Sequence, residues 1–267
     1  MMIALLAAAI SAAPFAQAAP QPAAEHASPA MFVVRDNDTT IYIFGTFHAL
    51  DGRGEWFKDK VRDAFENSGE LVLETVIPEG PIKVKPVFGA RALPVTPSAS
   101  FLATTRMAID AGKSQGMQVG NGADMVLRHV AEAQGKAVEG LETLELQLNM
   151  FTRMPAAETA AAPKPGQPVE VGDPMQNLSK AMAEMQTAWK HGDQSVFVRM
   201  LGQLEHSAPD TYRVMFTERN ARWADWIAGR MQTPGVVFVA VGAGHLAGKD
   251  SVLVRLAEQG IESTRLN

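Results

Sequence analysis

Two stretches far apart in the chain are spelled alike. "IYIFGTFH" runs from Ile41 to His48 and "VVFVAVGAGH" from Val236 to His245, and in each a continuous apolar run meets a glycine that stands three places before a histidine. Such an apolar run reads as a buried strand. In open parallel sheets the ligand sits beyond the carboxyl ends of the strands. Two strands that finish in the same way therefore deliver their imidazoles to the same kind of place.

The intervening sequence supports an α/β chain. "MFVVR", a turn at "DND" and "TTIYIFG" read as a hairpin leading into the first of the two motifs. "EWFKDKVRDAFENSG" reads as a helix with Trp56, Phe57, Val61, Ala64 and Phe65 on one side and Gly69 as its stop. "ELVLETVI", bounded by Pro78, is the next strand, and strand, helix, strand with short joints is a right-handed parallel crossover. Residues Val84 to Met117 mix Pro and Ser signals with helical stretches and give no single reading. "ADMVLRHVAEAQG" is a helix with Met125, Val126, His129, Val130 and Ala133 at helical spacing; "KAVEGLET" is a short strand ending at Gly140, and "LELQLNMF" a helix. Residues 155–174, rich in Ala and Pro without periodicity, read as a mobile loop. Beyond it come helices over 175–190, 194–206 and 209–231, the strand "GVVFVAVG", a helix in "KDSVLVRLAEQG" and a last strand "IESTRL". The expected fold is a central mixed, largely parallel sheet flanked by helices, with a helical second half, forming one domain over 31–267.

With 267 residues, 46% of them hydrophobic, the chain is long enough to bury a sizeable core. A net charge of -5 without a cluster of Lys and Arg argues against nucleic acid as a partner. Residues 1–18, an apolar core followed by Ala16-Gln17-Ala18, read as a secretory signal cut after Ala18, with 19–30 a flexible tail. An uncleaved anchor is the runner-up, but Ser11, Pro14 and Gln17 interrupt a run that is short for a bilayer span, and no other segment is expected to cross a membrane. The product is then periplasmic or secreted. The chain has no cysteine, which removes disulfides and thiol nucleophiles and leaves His, Asp, Glu, carbonyl or water to hold any metal.

The carboxyl-edge rule collects His48, Glu74, Glu142 and His245, each where its strand runs out. Two imidazoles and two carboxylates form a group able to bind a divalent metal or to exchange protons with a substrate. Taken singly, each is more ordinarily a hydrogen-bonded structural residue; the repeated glycine, which lets the backbone turn or approach a ligand, shifts the balance. His129 reads as core or interface, and His26, His191 and His206 as tail or helix-end residues. On the long helix, Tyr212, Met215, Phe216, Trp223, Trp226 and Ile227 form one apolar stripe with Arg219 and Asn220 inside it. An inward arginine needs a carboxylate or an anionic substrate group, unless it lays its stem along the core and reaches water. Glu218 and Arg222 read as a pair on the wet face of this helix. "VGAGHLAG" has the glycines of a phosphate cradle at too long a spacing for a dinucleotide fingerprint.

"IYIFGTFH", "ELVLE", "GLET", "RNARWADWI" and "VGAGHLAG", in this order, resemble the TraB/PrgY/GumN family, which includes the Tiki proteases and is distantly similar to erythromycin esterases. The resemblance implies a hydrolase-like α/β fold with an active centre of two G-x-x-H histidines and acidic residues. By motif, His48 and His245 are the paired histidines, Glu74 and Glu142 the acids, and Arg219 with Asn220 the polar pair of the late helix. The chain departs from animal Tiki members in having no cysteines and no obvious anchor. Tiki-like activity is metal-dependent proteolysis with manganese or cobalt favoured, whereas the esterase-like relatives use histidine as a general base without metal. The preferred expectation is metal-assisted hydrolysis of a peptide or small-molecule substrate. His48, His245 and one glutamate hold a divalent ion, the other glutamate takes the proton of its bound water, and Arg219 steadies the oxyanion or a substrate carboxylate; Glu74 is preferred as ligand and Glu142 as base, an order the sequence does not fix. Two alternatives stand beside it: the same residues without the ion, with His48 as base, and a periplasmic protein that binds or inhibits without turnover. The oligomeric state is not legible.

Overall fold

Strands β1, Met31–Arg35, and β2, Thr39–Thr46, pair antiparallel around the "DND" turn. There Asp36 Oδ1 accepts from the amides of Asp38 at 3.1 Å and Thr39 at 2.8 Å. This side-chain mimic of a backbone turn is why Asp stands at that place. The protein is seen in a computed structural model that describes residues 26–77, 99–153 and 174–267. The expected signal, the start of the tail and the body of the 155–174 loop lie outside the described residues.

After β2 come α1, Asp59–Glu66, then β3, Glu70–Thr75, α2, Ala99–Ser114, α3, Ala123–Ala133, β4, Ala137–Glu142, and α4, Leu144–Arg153. The second half begins with helices α5, Pro174–Lys190, and α6, Ser195–Ser207. A single helical rod follows: α7, Pro209–Tyr212, a π-helical turn over Arg213–Thr217, and α8, Glu218–Arg230. Strand β5, Gly235–Gly242, a 3₁₀ turn over Ala243–Leu246, α9, Val252–Glu258, and β6, Thr264–Arg265, complete the described chain.

The six strands form one sheet in the order β4-β3-β5-β2-β1-β6. β4, β3, β5 and β2 run parallel, while β1 is antiparallel to β2 and β6 to β1. The expected mixed, largely parallel sheet with a helical second half is therefore the fold. β5 enters late in the sequence and lies between β2 and β3, so the ends of all four parallel strands meet at one edge.

Alternation along the strands builds two cores. In β5, Phe238 and Ala240 face α1, α3, α5 and α6, whereas Val237, Val239 and Val241 face α8 and α9. Both faces being covered explains the uninterrupted apolar spelling of β2 and β5.

Several local expectations shift. Residues 26–30 are not a tail: Ala27 and Ala30 are buried, and the Ser28 amide donates to the Lys190 carbonyl at 2.7 Å. Helix α3 buries Ala123, Leu127 and Ala131, four apart on one face, and His129, two residues from both Leu127 and Ala131, falls on the opposite, exposed face. β4 continues through Gly140 to Glu142, where a Cβ at Gly140 would meet the Val76 amide nitrogen of the neighbouring strand end at 3.2 Å.

Candidate functional site

The carboxyl edge of the parallel strands carries His48 after β2, Glu74 on β3, Glu142 at the end of β4 and His245 in the turn after β5. The three strands β3, β5 and β2 are adjacent, and their polar ends crowd one α-carbon. A Cβ built on Gly242 would lie 3.1 Å from Glu74 Oε1, 3.4 Å from His48 Nε2 and 3.6 Å from His245 Cδ2. The backbone of Gly242 has an ordinary φ of -53°. The glycine of this G-x-x-H motif therefore serves close approach of side chains, not a strained turn. Its amide donates to Glu74 Oε1 at 2.7 Å. Gly45, its counterpart in the first motif, lies against Ala243, and its carbonyl accepts from Trp189 Nε1 at 2.8 Å.

Arg219 and Asn220 reach the edge from the other side. The π-helical turn over Arg213–Thr217 adds a residue to the rod just before them, a device common beside functional sites. Arg219 is 2% exposed. Its Nη2 donates to Glu74 Oε2 at 2.8 Å and lies 3.0 Å from Glu142 Oε2, and its Nε donates to both Glu142 oxygens at 3.1 Å. The guanidinium lies over the Trp223 ring, 4.5 Å from its centroid. Burial of this cation is offset by two carboxylates and a ring face. Arg222, expected to pair with Glu218, instead donates to Glu142 Oε1 at 3.2 Å, while Glu218 pairs with Arg213. The buried carboxylate attracts Arg222 more strongly than the exposed one a turn away.

His245 sits between Phe216 and Trp223, with ring centroids 4.8 and 4.5 Å away. Asn220 Nδ2 donates to the Asp250 carbonyl at 2.7 Å, which turns Asn220 Oδ1 towards His245 Nδ1 at 2.6 Å. These partners assign the proton to Nδ1 and leave the Nε2 lone pair facing Arg219 Nη1 at 3.3 Å. Burial lowers the pKa of this imidazole to about 3, with Arg219 and His48 adding to the effect and Glu74 opposing it. His245 is neutral at any ordinary pH. Burial works against the charge of Glu74, but His245 when protonated, then Arg219 and His48, with the Gly242 amide, overcome it and lower its pKa to about 2.

His48 has a partner that sequence reasoning missed. Its Nδ1 lies 3.3 Å from Asp124 Oδ1, though off the axis of a well-formed hydrogen bond. Desolvation lowers the pKa of this imidazole, but the Asp124 contact and the negative charges of Glu74 and Asp124 outweigh it, against Arg219, and raise it to about 9. The side chain is 59% exposed, facing the cleft it lines. Asp124 stands in the first turn of α3, where an acid suits the helix dipole, so the sequence offers no sign of a second role. A Cβ on Gly122 would stand 2.3 Å from the His48 carbonyl oxygen, so only glycine lets α3 begin against this loop.

These groups form the floor of a cleft of about 1380 Å³. His48, Glu74, Arg219, Gly242 and His245 line it; Glu142 and Asn220 stand behind Arg219 and His245 and do not. Glu142, expected as a base, has its carboxylate committed to two arginines. As arranged, the expected metal donors do not fit an ion. Arg219 holds Glu74 Oε2 and faces the His245 lone pair, and among the described residues no group of three His, Asp or Glu is placed to hold a metal.

The model of the TraB/PrgY/gumN family matches residues 30–86 and 82–265. No curated protein and no solved structure matches the chain.

Proposed function

The chain belongs to the TraB/PrgY/gumN family, and from that premise we propose that it is a hydrolase of ester or peptide bonds centred on His48, Glu74, Arg219 and His245. The carrying observation is the convergence of His48 Nε2, Glu74 and His245 on Gly242, beside the Arg219 guanidinium, at the floor of one cleft. His48 in its neutral form, with Nδ1 turned to Asp124, takes a proton from water at Nε2. Ionised Glu74 stabilises the imidazolium that results. Arg219, nearly fully buried against Glu74 and Glu142 at the cleft lining, donates through Nη1, which in the empty site faces His245 Nε2, to the developing oxyanion or to a substrate carboxylate. The acyl C–O or C–N bond then breaks as His48 returns its proton to the leaving oxygen or nitrogen, releasing an acid and an alcohol or amine. Asn220 and Asp250 hold the His245 ring, and Glu142 and Arg222 hold Arg219.

Since His48 titrates at about 9, the neutral base gains population, and turnover climbs, as pH rises towards that value. The test is a screen of metal-stripped and metal-supplemented protein against ester and peptide libraries, comparing the native chain with His48→Ala and His245→Ala. Equal turnover by all three ends the assignment. Stimulation by manganese or cobalt would mean that an ion displaces Arg219 from Glu74 and His245, restoring the metal-dependent reading.

A second reading, capture of a ligand without turnover, is favoured by one observation: Arg219 already pairs with both acids of the site. A ligand recovered intact after prolonged incubation with native protein would decide for it. Export to the periplasm or beyond is part of the proposal and rests on the signal-like residues 1–18 and the absence of cysteine. Exported protein beginning at Ala19 is the expected result of N-terminal sequencing.

A further inference from the structure

The cleft has a polar floor and apolar walls, and the walls are the larger part. At 1380 Å³ it exceeds the roughly 300–1,000 Å³ of an ordinary small-molecule pocket, so a short acyl group or a single peptide side chain leaves most of it unfilled. Met117, Met182, Met185, Met200 and Met215 line it together with Leu204. They come from α5, α6, the π-helical turn and the segment after α2, and Met185, Met200, Met215 and Leu204 are only partly buried by the rest of the protein.

Unbranched, polarizable methionine walls adapt to a flexible apolar ligand and offer no fixed ring platform. Three phenylalanines also line the cleft, of which Phe197 is buried in the core and the other two pack on neighbouring rings. Phe216 packs on His245 and Tyr212, and Phe47 on Trp189. At the polar end, next to His48, Thr46 lines the cleft with a hydroxyl that is buried and has no partner among the described residues. An unpaired buried hydroxyl is costly until a ligand supplies the missing hydrogen bond.

We propose that the cleft binds a linear acyl chain along its methionine-lined walls, with the carbonyl or carboxylate head at Thr46, His48 and Arg219. Resting on the hydrolase reading, this names the substrate class as esters or amides of medium- and long-chain carboxylic acids. Water adds to the acyl carbon, the bond to the alcohol or amine breaks, and the free acid leaves with its chain.

Two measurements on the full chain keep the two claims apart. Displacement of a fluorescent fatty acid by saturated acids of increasing length needs no catalysis. Each methylene is expected to raise affinity by up to about fourfold until the cleft is full. Turnover of p-nitrophenyl esters from acetate to dodecanoate should show the same climb in kcat/KM. Met200→Trp, which fills part of the wall, should move the optimum to shorter chains, and Thr46→Val should weaken the acids more than the corresponding alkanes. Chain-length-dependent binding without hydrolysis of any ester sustains the cleft proposal and removes the hydrolase reading. Hydrolysis of acetate and dodecanoate at equal kcat/KM, with no fatty-acid displacement, does the reverse. An optimum unmoved in Met200→Trp, with the variant folded by circular dichroism, also overturns the acyl-chain site.

Discussion

Arg219 is the residue on which the electrostatics of the edge turn. It is buried against Glu74 and Glu142, and Glu142 is itself 5% exposed. Replacing Arg219 with methionine keeps the stem but takes from Glu74 its arginine and leaves Glu142 with Arg222 alone, at an expected cost of about 3–5 kcal/mol in urea unfolding. Adding Glu142→Gln should recover part of that loss, since it removes a buried charge that the half-exposed Arg222 alone compensates incompletely. Additive losses in the double variant would mean that the three side chains are not coupled. His48 carries the opposite kind of signal. Its folded pKa is raised from 6.5 to about 9, so the stability it contributes is fully present below 6.5 and is lost as pH rises through 9. Asp124→Asn keeps a side-chain oxygen beside Nδ1 but removes the adjacent negative charge that helps raise this value. The His48 titration followed by NMR should move down towards 6.5, and with it the rising limb of the pH-rate profile. A titration that stays near 9 would refute the Asp124 pairing.

Elements position these residues by contacts that sequence shows unevenly. The strand ends were legible because the signal is local: an apolar run, a glycine, then a polar side chain at the carboxyl edge. The inward Arg219 and Asn220 were legible from their place within the Tyr212 to Ile227 stripe, although the π-helical turn that sets their approach was not. Asp124 and Gly122 were invisible, because their roles come from α3 starting against the loop that carries His48, a tertiary contact with no periodicity. The same holds for Arg222, drawn to a carboxylate 80 positions away. Gly122 supplies the test at this scale. Its Cβ would meet the His48 carbonyl oxygen at 2.3 Å, whereas a Cβ on nearby Gly120 meets nothing within 4 Å. Gly122→Ala should cost about 1–3 kcal/mol through overpacking and reduce turnover by displacing His48. Gly120→Ala should leave both nearly as they are. Equal effects of the two substitutions in thermal unfolding would show that the start of α3 yields without strain.

For the whole molecule, the late placement of β5 between β2 and β3 ties the site to the integrity of both cores. Alternate residues of this one strand belong to opposite faces of the sheet, Phe238 and Ala240 to one and Val237, Val239 and Val241 to the other. The strand cannot leave one core and stay in the other, because a period of two gives each face half of its side chains. Loss of β5 also removes Gly242 and His245 from beside Glu74. The tryptophans divide in the same way: Trp56 and Trp189 lie on the face of α1 and α5, Trp223 and Trp226 on the face of α8. A Trp56→Phe, Trp189→Phe variant reports fluorescence from the α8 face alone, and a Trp223→Phe, Trp226→Phe variant from the opposite face. Each replacement shifts stability, so the informative comparison is within a variant, between tryptophan emission and far-ultraviolet circular dichroism in urea. The two midpoints should coincide in both variants, because the shared strand makes the two layers unfold together. A midpoint for either face that departs from the circular dichroism of its own variant would show that one layer of helices can leave while the sheet and its carboxyl edge persist.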